Sequence, residues 1–204
     1  MNRILSGRRS SLFLIPCLAV LGLCAVIASS AQDINTVTLT QISSDPFTIG
    51  PGQHATEVEP HVFAFGATVV AAFQTGRIVG GGGTAIGWAT STDSGNTWTH
   101  GFLPGLTSGN GGGPYSAASD PAVAFDAKHG VWIIESLPIA SFSTPAVVVS
   151  RSTDGGFTWD NPVSVGGNVS SSDKSWIVCD NTSASRSTAT VMWSGIIRST
   201  ATRF

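Results

Sequence analysis

Charge is scarce in this chain of 204 residues: ten Lys and Arg stand against twelve Asp and Glu, 11% in all. Nothing basic is clustered to track a phosphate backbone, which argues against a nucleic-acid partner. Tyrosine occurs once, at Tyr115, and cysteine three times. Past the N-terminal stretch no helical periodicity of useful length is found, and helical folds are excluded. His54, His61, His100 and His129 do not form a metal-ligand spacing. The run Gly80 to Gly83 lacks the Lys-Ser/Thr and the helix of a phosphate loop. No cofactor and no metal are expected.

The first 31 residues stand apart. Arg3, Arg8 and Arg9 precede an apolar run from Leu12 to Ile27, and Ser29-Ser30-Ala31 forms a small-residue cleavage site. This is the pattern of a signal peptide, so the mature chain is expected outside the cytoplasm, with no stable membrane span. Pro16 makes the run a marginal span, and an uncleaved anchor is the alternative. Removing three arginines and no acids leaves seven basic against twelve acidic residues, a net charge of −5. Cys17 and Cys24 leave with the signal, and Cys179 is then alone in an oxidising compartment.

What remains is rich in Gly, Ser, Thr and Val, a profile of short strands and tight turns. The octapeptide Ser91 to Trp98, STDSGNTW, returns 61 residues later as STDGGFTW, Ser152 to Trp159, with six of eight positions identical. Its chemistry is that of a hairpin turn. The Ser and Asp side chains bond backbone amides, Gly95 and Gly156 accept positive φ, and Thr-Trp resumes the strand.

Strand candidates repeat around these turns. His61 to Phe65, Val69 to Gln74, Ala85 to Thr90 and Thr97 to Leu103 form one set, and Ala122 to Phe125, Val131 to Ser136, Val147 to Ser150 and Thr158 to Val165 a second. A third set begins at Ser175 to Cys179. The inner strands open with Glu59, Asp120 and Asp173, 61 and 53 residues apart. Repeated four-stranded antiparallel units imply a propeller, which closes with about four to eight blades. The reading divides the chain into a signal peptide (1–31), a closing strand and loop (32–53, the strand at 36–42), blade 1 (54–106), blade 2 (107–167), the start of blade 3 (168–185) and a tail (186–204).

The pattern Ser-x-Asp-x-Gly-x-Thr-Trp resembles the Asp box, or BNR repeat, of sialidase-like β-propellers. Ser91, Asp93, Gly95, Thr97 and Trp98, then Ser152, Asp154, Gly156, Thr158 and Trp159, match every fixed position. The resemblance implies an all-β, incomplete sialidase-like propeller of two blades and the start of a third, with the Asp boxes structural. Residues 53 to 184 are also similar to secreted bacterial BNR proteins, through QHATEVEP, SDPAVAFDAKHGVW and DKSWIVCDNT among other segments. In those relatives the chain continues near here as Pro-Phe-Tyr-Gly-Asn-Cys-Tyr-Val-Glu-Trp, whose cysteine could pair with Cys179. Written CCG TTC TAC GGC AAC TGT TAT GTG GAG TGG and read one base along, that strand becomes the ten residues Arg186 to Gly195 observed here. The codons are chosen for the comparison, so the match is an existence proof. The expectation is a frameshift near residue 185; the alternative is that Ala189 to Ser194 is an ordinary strand.

In a four-strand meander the inner-strand starts and the second-to-third turns share one face, and the third-to-fourth turns, with the Asp boxes, lie on the other. The candidate axial ligand face therefore holds Glu57, Glu59, Arg77, Asp120, Asp173 and Lys174, beneath the loops Gly76 to Gly83 and Leu137 to Pro145. These carboxylates read either as strand-start residues satisfying backbone amides or as a ligand site. A sialidase-like hydrolase needs a tyrosine nucleophile, an acid/base carboxyl and arginines that clamp the substrate carboxylate. Tyr115 lies in a Gly/Pro loop, Arg151 leads to the opposite face, and Arg186, Arg198 and Arg203 fall in the tail. The chain alone is expected to be inactive, while the resemblance implies an exo-sialidase-like glycoside hydrolase for a full-length relative. The alternative is a non-catalytic propeller that binds extracellular glycan, protein or cell-surface polymer. Open blades also offer edges for self-association.

Overall fold

The structure, a computed structural model, describes residues 39–48, 52–141, 143–165 and 172–182, together with the backbone of 191–197. The signal-peptide stretch lies outside these residues, as do 36–38 of the expected closing strand and all of the tail but 191–197. Leu39 and Thr40 fall in a separate compact unit, Met1–Thr40, and carry no regular element.

Among the described residues all regular structure is strand. Blade 1 is a meander of β1 (Glu57–Phe65), β2 (Thr68–Arg77), β3 (Gly83–Ser91) and β4 (Thr99–Phe102). Blade 2 repeats it with β5 (Ala117–Asp126), β6 (Val131–Ile139), β7 (Val148–Ser152) and β8 (Val163–Ser164). A single pairing, Gly83 with Ala118, joins the two sheets. The third unit is a hairpin of β9 (Ser172–Cys179) and β10 (Val191–Ile197). The chain is thus all-β, two propeller blades and two strands of a third.

Two expectations are corrected. Leu39 to Ile42 are not in a strand; within this stretch Gln41 Nε2 donates to the Ser43 carbonyl at 2.7 Å, a local bond in place of a ladder. The fourth strand of blade 2 shrinks from the expected Thr158 to Val165 to two residues: Asp160 N–H, one residue out of register, takes the Arg151 carbonyl that a continued ladder would pair with Asn161.

Both Asp boxes fold alike. Ser91 Oγ donates to Asp93 Oδ1 (2.7 Å) and accepts from Gly95 N–H (2.8 Å); Asp93 also takes Thr97 N–H (2.9 Å) and Oγ1 (2.7 Å). Ser152, Asp154, Gly156 and Thr158 repeat these bonds at 2.6 to 3.0 Å. The Thr97 hydroxyl and amide, with Ser91, hold the Asp93 carboxyl down at about 2. For Asp154 burial acts to raise it, but Thr158 and Ser152 outweigh burial and bring it to about 2.

Blade 1 and blade 2 pack face to face. Val70, Ala72, Ile86 and Trp88 meet Ala118, Val123, Ile134 and Val148, with Trp159 of the second box buried among them. The Thr90 hydroxyl donates to the Gly155 carbonyl at 2.7 Å, tying the second box to blade 1. A second cluster of Ala122, Ala124 and Ile133 against Ile177 joins blade 2 to β9.

Candidate functional site

The inner strands β1, β5 and β9 carry the same irregularity. In β1 the register passes from Val58 opposite Gln74 to His61 opposite Ala72, so Glu59 and Pro60 together face one residue. In β5 it passes from Ser119 opposite Leu137 to Ala122 opposite Glu135, with Asp120 and Pro121 in excess. In β9 it passes from Asp173 opposite Ile196 to Ser175 opposite Gly195. The first bulge residue is left-handed each time: Glu59 at φ 53°, Asp120 at 49° and Lys174 at 64°. For residues with a Cβ that conformation costs roughly 1–2 kcal/mol, and glycine would adopt it freely.

This geometry shifts the third repeat by one. Lys174, not Asp173, is the structural counterpart of Glu59 and Asp120. Asp173 occupies the place of Val58 and Ser119.

The three bulges surround two adjoining cavities. The larger, about 810 Å³, runs from Glu59, Gln74, Asp120 and Asp173 to the β2–β3 loop at Val79 to Gly82 and the β6–β7 loop at Ser141, Ser143 and Thr144. The smaller, about 350 Å³, lies between Glu59, His61, Asp120, Asp173, Lys174 and Trp176. Glu59, Asp120 and Asp173 line both. Ser119, Ser143 and Thr144 add hydroxyls to the larger one.

The polar groups are braced. Gln74 Nε2 donates to Glu59 Oε2 at 2.7 Å, and Lys174 N–H donates to Asp120 Oδ2 at 3.1 Å. A hydrogen bond shared with the Asp120 carboxyl, then burial and the Asp120 charge, pushes Glu59 up to about 7, against the pull of Lys174 and Gln74. His61 Nδ1 accepts the Val123 N–H at 2.8 Å, and burial followed by the Lys174 charge lowers its pKa.

Two of the six candidates are not brought in. The Glu57 carboxylate accepts Ser43 Oγ at 2.6 Å, and it lines neither cavity. Arg77 is exposed at the end of β2, its backbone held by Thr56 and Gln53, and lines neither cavity. Tyr115 packs against the core between blades 1 and 2. Among the described residues no group of three His, Cys, Asp or Glu side chains is arranged to hold a metal ion.

One acid was not anticipated. Glu135 on β6 is fully buried behind the bulges, and neither carboxyl oxygen has a hydrogen-bond partner among the described residues. Burial pushes it up to about 7; the neighbouring Ser175 hydroxyl and the Lys174 charge offset part of this, and Asp120 adds to it. Its register position matches Ala72 in blade 1, each facing the third residue of its neighbour's bulge segment. A polar residue where the previous repeat has alanine was the available signal.

No family model and no curated protein matches the sequence. Among solved structures the chain is similar to the Hadza microbial sialidase Hz136, with a TM-score of 0.44 and 19% identity over 58% of this chain and 29% of that one. It is similar to the K499G mutant of NanB sialidase from Streptococcus pneumoniae, with a TM-score of 0.41 and 16% identity over 59% and 16% of the two chains. It is also similar to an α-L-arabinanase from Penicillium chrysogenum, with a TM-score of 0.47 and 16% identity over 71% and 41%. The chain spans less than half the length of each of these three structures.

Proposed function

We propose that this chain is the front part of a secreted Asp-box propeller that binds extracellular carbohydrate at its axial face and does not itself hydrolyse sialosides. The observation that carries the reading is the set of three left-handed bulges. Glu59, Asp120 and Lys174 keep charged side chains at a position where glycine would be less strained, and all three border the smaller cavity, Glu59 and Asp120 the larger one as well. Strain held at matching places around a cleft is characteristic of ligand sites. A cleft of hydroxyl and carboxyl groups suits a polyhydroxylated ligand, because a carboxylate accepts from several hydroxyls at once.

A sialidase-type hydrolase is the weaker reading for this chain. Its single tyrosine belongs to the core, and Arg77 lies outside both cavities. Glycan-array binding by the secreted chain, together with a fluorogenic sialoside assay, tests the proposal. Binding without turnover is expected, and measurable turnover or an empty array overturns it.

The reading includes the one-base shift near residue 185. Placed from position 186, the relatives' strand sets its cysteine at 191, and Val191 is the register partner of Cys179. Nucleotide sequence through codon 180 and beyond tests this. If no neighbouring frame holds further Asp boxes, the shift is wrong.

A further inference from the structure

We propose that the smaller cavity is a one-sugar subsite for a neutral pyranose, which lays its apolar face on Trp176 and directs hydroxyls to Glu59 and Asp120. The inference rests on the carbohydrate reading and specifies its ligand class.

Trp176 carries the argument. Its neighbours on β9, Ser175 and Ile177, are buried at 0% and 2%, while Trp176 is 40% exposed and lines the cavity. The same side of the strand carries Val178, 44% exposed, and of the two Trp176 alone lines the polar cavity. His61 meets the indole edge-on, with centroids 4.4 Å apart and planes at 62°, which fixes the ring's orientation. Lys174 Nζ stands 5.5 Å from the ring centroid, near the outer limit of about 6 Å for a cation–π contact. So loose a contact, made by an exposed lysine, yields its place to a sugar ring.

The hydroxyl partners are already oriented. Glu59 is held by Gln74 and Asp120 by the Lys174 amide, so neither carboxyl has to be ordered when a ligand arrives. A volume of about 350 Å³ lies at the small end of ligand pockets, suited to a single ring. Because Glu59, Asp120 and Asp173 also line the larger cleft, a longer oligosaccharide continues into it.

Charge selects the class. Three carboxyl groups line the cavity, and among the described residues Lys174 is its one cationic side chain. A sialic acid would bring a fourth carboxylate to this group without an arginine fork to receive it. A neutral sugar meets no such repulsion.

Saturation-transfer NMR and calorimetric titration of the full 204-residue chain with cellotriose, mannotriose, lactose and 3′-sialyllactose test the subsite. At least one neutral sugar is expected to bind, with the strongest transfer to the ring C–H protons of a single unit. Trp176→Ala is expected to weaken that sugar tenfold or more, and Trp176→Phe to retain most of the affinity. Lactose is expected to bind at least tenfold more tightly than 3′-sialyllactose. Unchanged affinity in a folded Trp176→Ala variant would overturn the subsite and leave the carbohydrate reading standing. Sialyllactose binding as tightly as lactose would overturn the neutral class alone. If none of these sugars binds but others on the array do, the subsite falls; if no glycan binds at all, both proposals fall.

Discussion

Replacing Glu135 by glutamine should make the protein more stable at neutral and alkaline pH. The side chain is fully buried, so ionisation sets a charge between blade 2 and β9 that the Ser175 hydroxyl and Lys174 offset only in part. Burial raises its pKa from 4.5 to about 7. That rise is equivalent to about 3 kcal/mol of charge penalty. A carboxyl whose folded pKa is raised takes up more protons in the folded state, so stability is highest below about 4.5, falls as pH climbs, and is lowest above 7. Glutamine has the same shape and never ionises. Glu135→Gln should therefore match the wild type near pH 4.5 and exceed it by up to about 3 kcal/mol at pH 8, a gain of about 6–12 °C in Tm for a domain of this size. Glu59, also raised, contributes its own slope over the same window in both proteins, so the difference between the two isolates Glu135. Thermal unfolding followed by circular dichroism from pH 4.5 to 8 measures it. A variant less stable than the wild type at pH 8, or a difference that does not change with pH, would refute the buried-charge argument.

Further outcomes follow from the turns and the register. Gly95→Ala and Gly156→Ala both place a Cβ at φ near 90°, a strain of roughly 1–2 kcal/mol each, but only at Gly156 would that Cβ press on Thr90 Oγ1 (3.0 Å) and Val70 Cγ2 (3.1 Å). Chemical denaturation should accordingly find Gly156→Ala the more damaging by about 1 kcal/mol or more, and equal losses would contradict the packing of the second box on blade 1. Asp93 and Asp154 are held at about 2, so the stability they contribute is complete above about pH 4 and is lost as pH falls through 2. The Asp93→Asn/Asp154→Asn pair should be less stable at pH 7 and show a flatter acid limb; an unchanged acid limb would mean that the boxes do not govern acid unfolding. Val191→Cys should form a disulfide with Cys179, because directly opposed antiparallel residues stand about 4.5–5.5 Å apart at Cα, within disulfide range. Thiol titration should then find neither cysteine free after oxidation, and two reactive thiols would show the β9–β10 register to be different.

The Asp boxes and the meander were legible because their signals are local. Ser91, Asp93 and Thr97 bond one another within seven residues, so the signal of the turn between β3 and β4 lies within its own octapeptide. The bulges were not legible in the same way. Glu59-Pro60 and Asp120-Pro121 advertise an irregular strand start, yet a left-handed Lys174 followed by serine gives no such sign, and matching acid to acid set the third repeat one residue out of step. Glu57 reads as part of the site by nearness to Glu59, and Arg77 through the loop Gly76 to Gly83 on the same face. The Glu57 carboxylate is instead taken by Ser43, since two residues along a bulged strand do not return a side chain to the same place, and Arg77 ends β2 exposed with its backbone held by Thr56 and Gln53. Glu135 was hidden by its surroundings, one acid inside the apolar run Val131 to Ile134 that continues to Leu137. Only the blade-to-blade comparison with Ala72 exposes it.

The bond from Thr90 to the carbonyl of Gly155 ties a strand of one repeat to the turn of the next. With Trp159 seated in the same interface, the turn of the second box acts as a latch on the first blade as well as a closure of its own. Stability in such an array passes between nearest neighbours. Folding order follows from this: the first blade gains its full rigidity only once residue 159 has been made and seated. Damage to a latch is then read out one blade upstream, as faster amide exchange in β2 and β3, before the strands that carry the damage loosen.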